Sequence, residues 1–238
     1  SLAESLQNDQ RSLKLIVTDG VFSMDGDLAP VKDLLRIAEQ FDALLLIDDA
    51  HGFGVLGKQG HGILEQENLH SERIIYIGTL GKAAGVAGAF ICAHNSFVEW
   101  LIQKGRPYIY STASPPAIAH TLLKSLELIE SEEGQKRRAH LHHLIEIWKN
   151  EMVFNEWGKR FSNTPIQPVI LGSNANALFA AKRLDEAGYW IPAIRPPTVP
   201  NGSARLRITF SANHTEDDLR QLIQQLKQIE QERMVQAS

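Results

Sequence analysis

The run Ala43-Leu44-Leu45-Leu46-Ile47, closing on Asp48-Asp49-Ala50-His51-Gly52, constrains the fold more than any other stretch. Five consecutive apolar residues read as a strand buried on both faces, the pattern of a parallel sheet covered on either side. An earlier strand, Leu13 to Asp19, precedes it across a helix opened by Pro30. That helix shows an apolar face of Val31, Leu34, Leu35 and Ala38 at helical spacing. Strand, helix, strand at these lengths is a βαβ unit, whose crossover is right-handed. Sheets of this kind gather ligands at the carboxyl ends of their strands. Asp19, Ser23, Asp48, His51, Thr79 and Lys82 all fall just past expected strand ends. Any one of them reads equally as a satisfied loop polar group; their clustering marks a candidate site.

The segment Gly78-Thr79-Leu80-Gly81-Lys82-Ala83-Ala84-Gly85-Val86-Ala87-Gly88 lies between Ile74 to Ile77 and Ala89 to Ala93, both expected to be buried strands. A lysine among small residues there is expected to be desolvated, which lowers an ammonium pKa toward the neutral amine. A neutral amine attacks carbonyl groups. The glycines leave room for a flat ligand, and the Thr79 hydroxyl with nearby amides can hold a phosphate. A Walker-type loop is excluded, because Tyr76 stands where its first glycine belongs and Ala83 follows the lysine. Taken alone, the stretch reads equally as a lysine snorkelling from a tight turn between strands.

A length of 238 residues suits one large domain or two small ones. Net charge is −4 and the longest basic cluster is Lys136-Arg137-Arg138, which argues against a nucleic-acid binder. The single cysteine, Cys92, lies in an apolar run; a reducing compartment is expected. No apolar segment approaches the roughly 20 residues that span a bilayer. Leu2 to Arg11 reads as the end of an amphipathic helix, and a core strand follows almost at once. The chain is therefore expected to be a fragment or a processed product.

Past Ala93 a helix is expected around Phe97 to Gln103, then a loop, then one long helix from Ala117 to about Asn150. His140, His142 and His143 lie on it. The 140/143 pair could bind a metal, but with no carboxylate pattern nearby the better reading is solvated helix surface, so no metal is expected. Beyond about residue 140 the pattern changes to a strand over Pro165 to Leu171, a helix over Asn174 to Ala187, and an alternating strand, Arg205 to Phe210. A last helix, capped by Thr215, reaches Glu232. The alternation sets Arg205, Arg207 and Thr209 on one face and Leu206, Ile208 and Phe210 on the other, so one strand face is cationic.

Three stretches stand in one order: Thr18 to Asp27, Asp48-Asp49-Ala50-His51-Gly52, and Gly78-Thr79-Leu80-Gly81-Lys82. Together they resemble the α-oxoamine synthases, enzymes of the aspartate-aminotransferase-like fold of pyridoxal-phosphate proteins. The resemblance runs over essentially the whole chain. It implies an α/β fold of type I: residues 1–139 as the C-terminal portion of the cofactor-binding large domain, and 140–238 as a smaller α+β domain. Family members carry a further segment ahead of Ser1, with a phosphate-binding turn and an aromatic residue that stacks on the cofactor ring. This chain by itself is thus expected to be an incomplete enzyme.

Carried over residue by residue, the resemblance makes Lys82 the attachment point of pyridoxal phosphate and later the base. It makes Asp48 the partner of the ring nitrogen, with His51 and Ser23 near the phenolic oxygen. Ala50 packs under the ring and Thr79 reaches the phosphate. Ser111 and Thr112 serve the neighbouring subunit's phosphate site in a homodimer. Arg207 holds the amino acid's carboxylate, and Arg195 meets the distal end of the acyl chain. The runs Asp49-Ala50-His51-Gly52 with Gly60-His61-Gly62, Tyr110-Ser111-Thr112 and Ile194 to Pro200 resemble most the branch serving biotin synthesis. That branch implies L-alanine and a pimeloyl thioester, carried on coenzyme A or an acyl carrier protein, in the cytoplasm. Sister synthases acting on glycine or serine, a non-catalytic scaffold, and a generic nucleotide-binding α/β module are the alternative readings.

Overall fold

The structure is a computed structural model that describes residues 1–9 and 11–237. It divides into two units, Ser1–Phe22 with Leu28–Gln135, and Ser23–Asp27 with Lys136–Ser238. The division falls within a helix, and a five-residue segment from early in the chain is counted with the second unit.

The first unit begins with α1 (Leu2–Asn8), closed by a capping box between Ser1 and Glu4. It stops short of Arg11 because Asp9 takes extended dihedrals and its carboxylate turns to pair with Arg11. Then follow β1 (Leu15–Asp19), α2 (Val31–Gln40), β2 (Leu44–Asp48), α3 (Ile63–Glu67), β3 (Ile74–Thr79) and β4 (Ala89–Cys92). The sheet order is β1-β2-β3-β4, with β1, β2 and β3 parallel and β4 antiparallel to β3. α2 turns Val31, Leu35 and Ala38 to the core.

The register aligns Asp19 with Asp48 and Asp48 with Ile77. The carboxyl ends of the three parallel strands therefore form one row. α4 (Asn95–Lys104), α5 (Arg106–Ile109) and α6 (Pro116–Glu130) complete the unit. Along α6, Leu122, Leu126 and Ile129 follow one stripe and pack with Phe53, Ala84, Leu80 and Phe90.

Three expectations are corrected here. β2 is not buried on both faces: Leu45 and Ile47 have no exposure, whereas Leu44 and Leu46 are half-buried. Among the described residues β4 is the last strand of its sheet and is not buried as expected: Ala89, Ile91 and Cys92 are exposed. The long helix is two helices, since Ser131 leaves helical geometry and its hydroxyl accepts from Gly134 N, starting α7 (Glu132–Glu151).

The second unit holds most of α7, β5 (Gly158–Lys159), β6 (Ile166–Gly172), α8 (Asn174–Glu186), β7 (Ala193–Ile194), β8 (Ala204–Thr209) and α9 (Glu216–Ala237). Its sheet is antiparallel, ordered β5-β6-β8-β7. Thr215 caps α9: its hydroxyl accepts from Asp218 N at 3.1 Å, and the Asp218 carboxylate accepts from Thr215 N at 2.8 Å. That helix runs past Glu232 to Ala237. Trp148, Leu144, Met152, Leu206, Leu226 and Ile229 form the core, with Trp148 edge-on to Phe210 at 5.6 Å.

On β8 the alternation appears as expected: Leu206, Ile208 and Phe210 are buried, Arg207 is half-buried and Thr209 is exposed. Arg205, on the cationic face, is nonetheless buried, paired there with Asp25. His140 and His143 each commit a ring nitrogen, to the His214 carbonyl at 2.8 Å and to Glu216 at 2.9 Å. Among the described residues, no helix is long and apolar enough to cross a membrane.

Candidate functional site

The site of the first unit grows from the end of β2. Asp48 closes the strand, and its carboxylate accepts from Ala50 N at 3.0 Å, a local turn that swings the chain round to His51. The Ala50 carbonyl in turn accepts from Thr79 Oγ1 at 3.4 Å, tying this turn to the end of β3. Beyond Thr79 the chain makes an excursion closed by Leu80 N on the Gly88 carbonyl and Val86 N on the Leu80 carbonyl, both at 2.9 Å. Lys82 rides on it. Its Nζ lies 3.1 Å from His51 Nε2.

The expectation that Lys82 is desolvated is corrected, because its side chain is exposed. The buried residue of the loop is Ala84, seated against Phe53 and Ile129 and held through its carbonyl by Ser125 Oγ at 2.7 Å. Burial anchors the loop and leaves the lysine outward. His51 and the carboxylates of the strand row lie near the amine. Asp19 shows the crowding there: partial desolvation and the Asp48 charge hold its carboxyl above the usual range, while Lys82 pulls the other way.

Beneath this surface lies a residue that sequence reasoning passed over. Asp49 is fully buried. Its Oδ2 accepts from Ile63 N at 2.7 Å and from the Tyr76 hydroxyl at 2.8 Å, while Oδ1 has no hydrogen bond of ordinary geometry among the described residues. Burial, only partly offset by those donors, pushes its carboxyl up to about 6. Three glycines close round it: a Cβ on Gly20, Gly52 or Gly62 would stand 2.5, 2.1 or 2.0 Å from a carboxylate oxygen. The glycines at 52 and 62, bracketing a loop after an acidic strand end, were the available signal. Asp49 fastens β2, the 52–62 loop and β3 under the turn that presents Asp48 and His51.

The remaining candidates lie elsewhere. Ser111 and Thr112 stand exposed beyond α5, with Ser111 Oγ donating to the Tyr108 carbonyl at 3.4 Å. In the second unit, Arg195 is exposed, in a turn closed by Thr198 N on its carbonyl at 3.1 Å. Arg207 gives Nε to the Ser23 carbonyl and Nη1 to Thr209 Oγ1 at 3.2 Å, and burial lowers its pKa. Ser23 and Arg207 are thus brought together within one unit. Asp48, Ala50, His51, Thr79 and Lys82 are brought together within the other.

A parallel sheet with a lysine loop and paired acidic residues at its strand ends defines a class, and sequence comparison names it. The chain belongs to the family described as aminotransferase class I and II, whose model matches residues 1–226. It is 56% identical over 219 residues to an 8-amino-7-oxononanoate synthase of Janthinobacterium sp. (strain Marseille), an alignment covering 92% of this chain and 56% of that relative.

Among solved structures, an 8-amino-7-oxononanoate synthase of Francisella tularensis superposes with a TM-score of 0.77 at 30% identity, covering 94% of this chain and 65% of that one. A structure described as SPT with PLP superposes at 0.86 and 28% identity, covering 96% and 57%. The fold is therefore the α/β, aspartate-aminotransferase-like fold of type I. The chain spans a little over half the length of the curated relatives it matches.

Proposed function

We propose that the protein to which this chain belongs condenses L-alanine with a pimeloyl thioester, on coenzyme A or an acyl carrier protein, with loss of CO2. The product is 8-amino-7-oxononanoate. The observation that carries this reading is the contact of Lys82 Nζ with His51 Nε2 at 3.1 Å, beside Asp48 at the strand ends. The names and identities of the relatives support the substrate choice.

The donor set fits pyridoxal phosphate. A primary amine, an imidazole and a carboxylate stand on one loop cluster, and a Cβ on Gly81 or Gly85 meets nothing within 4 Å, which leaves room for a flat ring. When bound, the cofactor supplies an electron sink for the bonds broken at the amino acid's α-carbon. Lys82 would hold it covalently, and once the amino acid's amine had displaced it, the freed Nζ would be placed to take the α-proton. His51 is in range to exchange a proton with that Nζ and to face the phenolic oxygen, a role shared with Ser23. Asp48, as an anion, keeps the ring nitrogen protonated.

Ala50 would pack against the ring, and the Thr79 hydroxyl, on leaving the Ala50 carbonyl, would donate to the phosphate. Ser111 and Thr112 serve the phosphate of a partner subunit in a cytoplasmic homodimer. Arg207 binds the amino acid's carboxylate and Arg195 the far end of the acyl chain. Residues 1–139 form the C-terminal portion of the large domain, and 140–238 the small domain. No metal takes part in this reading.

The test is a substrate panel read by product mass. The cofactor-loaded protein is offered alanine, glycine and serine, each with pimeloyl, acetyl and palmitoyl thioesters. Turnover of alanine with the pimeloyl thioester above all other pairs is expected. Preference for glycine with the acetyl thioester, or serine with the palmitoyl one, would move the protein to a sister synthase. Absence of any turnover, with cofactor bound, would favour a non-catalytic role.

A further inference from the structure

The segment Ser23–Asp27 is flanked in sequence by first-unit residues, and its neck is closed there by a bridge between Val21 and Leu28. Its own contacts lie in the second unit. Asp25 forms an ion pair with Arg205, whose side chain is 5% exposed, and lies 3.6 Å from Arg160. This pairing is why an arginine on the cationic face of β8 is buried. The Gly26 carbonyl accepts from Ser162 Oγ at 2.6 Å and from Thr164 Oγ1 at 3.2 Å.

Gly26 has φ +71°, and a Cβ there would stand 2.6 Å from both the Ile166 carbonyl and Ser162 Oγ, so only glycine fits. The receiving turn is itself braced, since Gln167 Nε2 donates to the carbonyls of Ser162 and Thr164 at 2.9 and 2.7 Å. The segment runs against β8: Arg205 meets Asp25, and two residues on Arg207 meets Ser23.

We infer that Ser23–Asp27 is a positioning device for the guanidinium of Arg207, with the Asp25–Arg205 pair as its anchor. The committed N–H groups decide which edge of the guanidinium is presented. A guanidinium can present a carboxylate with the Nε/Nη2 edge or the Nη1/Nη2 edge. The Ser23 carbonyl occupies Nε, and Thr209 takes one hydrogen of Nη1. Nη2 and the second hydrogen of Nη1 remain for a carboxylate. Releasing the segment frees Nε and lets the fork rotate, so the anchor sets the edge on which the amino acid is received. Asp25 itself touches no substrate in this scheme. The inference rests on the proposed role of Arg207 as the carboxylate's partner.

The experiment compares Asp25→Asn, Arg207→Ala and the double variant in the cofactor-loaded protein. Readouts are kcat, KM for L-alanine and for the thioester, and alanine affinity by calorimetry. For Asp25→Asn we expect KM and Kd for alanine to rise about tenfold, with kcat and thioester KM within about twofold of the parent. Added to Arg207→Ala, it should have no further effect on alanine.

Should Asp25→Asn fold poorly, Ser162→Ala loosens the same segment through the Gly26 carbonyl, and a smaller rise in alanine KM is expected. If Arg207→Ala weakens alanine binding while neither variant of the segment changes it, or if the effects add in full, the positioning role is wrong. If Arg207→Ala leaves alanine binding intact, the assignment of Arg207 fails and this inference with it.

Discussion

At the scale of single residues, Asp48 and Asp49 are adjacent carboxylates given opposite environments by strand geometry. Successive residues of a strand face opposite ways, so Asp48 turns to the strand-end surface while Asp49 goes under it. The Asp49 carboxyl is pushed up to about 6 by burial, so between pH 4 and 6 the folded state holds a proton that the unfolded chain releases. Stability from this group therefore falls as pH rises through that window, by on the order of 3 kcal/mol once pH exceeds about 6. Thermal unfolding of wild type and Asp49→Asn across pH 4 to 8 should show the Tm of wild type dropping relative to the variant between 4 and 6, then running parallel. A constant offset throughout would mean that Asp49 is ionised in the fold.

On the surface side, Asp48→Asn should leave cofactor attachment in place and slow proton removal severely, seen as a loss in kcat. Arg207→Ala should instead act through KM for the amino acid, with a loss of about 2–4 kcal/mol in kcat/KM.

At the scale of elements, the second unit shows how one buried side chain can hold a turn. Glu230 on α9 is 1% exposed, and its carboxylate accepts from the backbone N–H groups of Asn155, Glu156 and Trp157 at 2.8–3.0 Å. Glu230→Ala leaves three donors unsatisfied and should lower unfolding free energy by roughly 3 kcal/mol, read from the denaturant midpoint. A shift of a few tenths would mean that water replaces the carboxylate freely.

Such contacts explain what the sequence could and could not convey. Short-range signals were legible: the apolar face of α2, the cap at Thr215, the alternation of Leu206, Ile208 and Phe210, and the Asp48, His51 and Lys82 strand-end cluster. What was not legible depended on partners far along the chain. The break at Ser131 is the exception, a local one: Ser131 followed by Glu132 and Glu133 in a polar stretch is a helix-start signal that the long-helix reading passed over. Phe90 and Ile91 look like core residues, but β4 is an edge. Lys82 sits among small residues that suggest burial, yet the loop buries Ala84 in its place. Asp25 and Arg205, 180 positions apart, carry no mark of their pairing.

At the scale of the whole molecule, the first sheet shows an apolar face to solvent. Among the described residues β1 pairs only with β2, and Leu15 and Val17, on the face opposite buried Ile16, are 49% and 63% exposed, with Leu13 before them at 73%. A contiguous apolar face on an edge strand favours association. Residues 1–238 expressed alone should self-associate with rising concentration, and replacing Leu15 and Val17 with lysine should reduce this in sedimentation experiments. Unchanged association would place the sticky surface elsewhere.

Covalent attachment of the cofactor to Lys82 can be tested without reference to turnover. The protein is incubated with pyridoxal phosphate, reduced with borohydride, digested and mapped by mass. One phosphopyridoxyl group is expected, on the peptide containing Lys82, and its loss in Lys82→Ala. A label on another lysine, or labelling spread equally over the surface lysines, would contradict it.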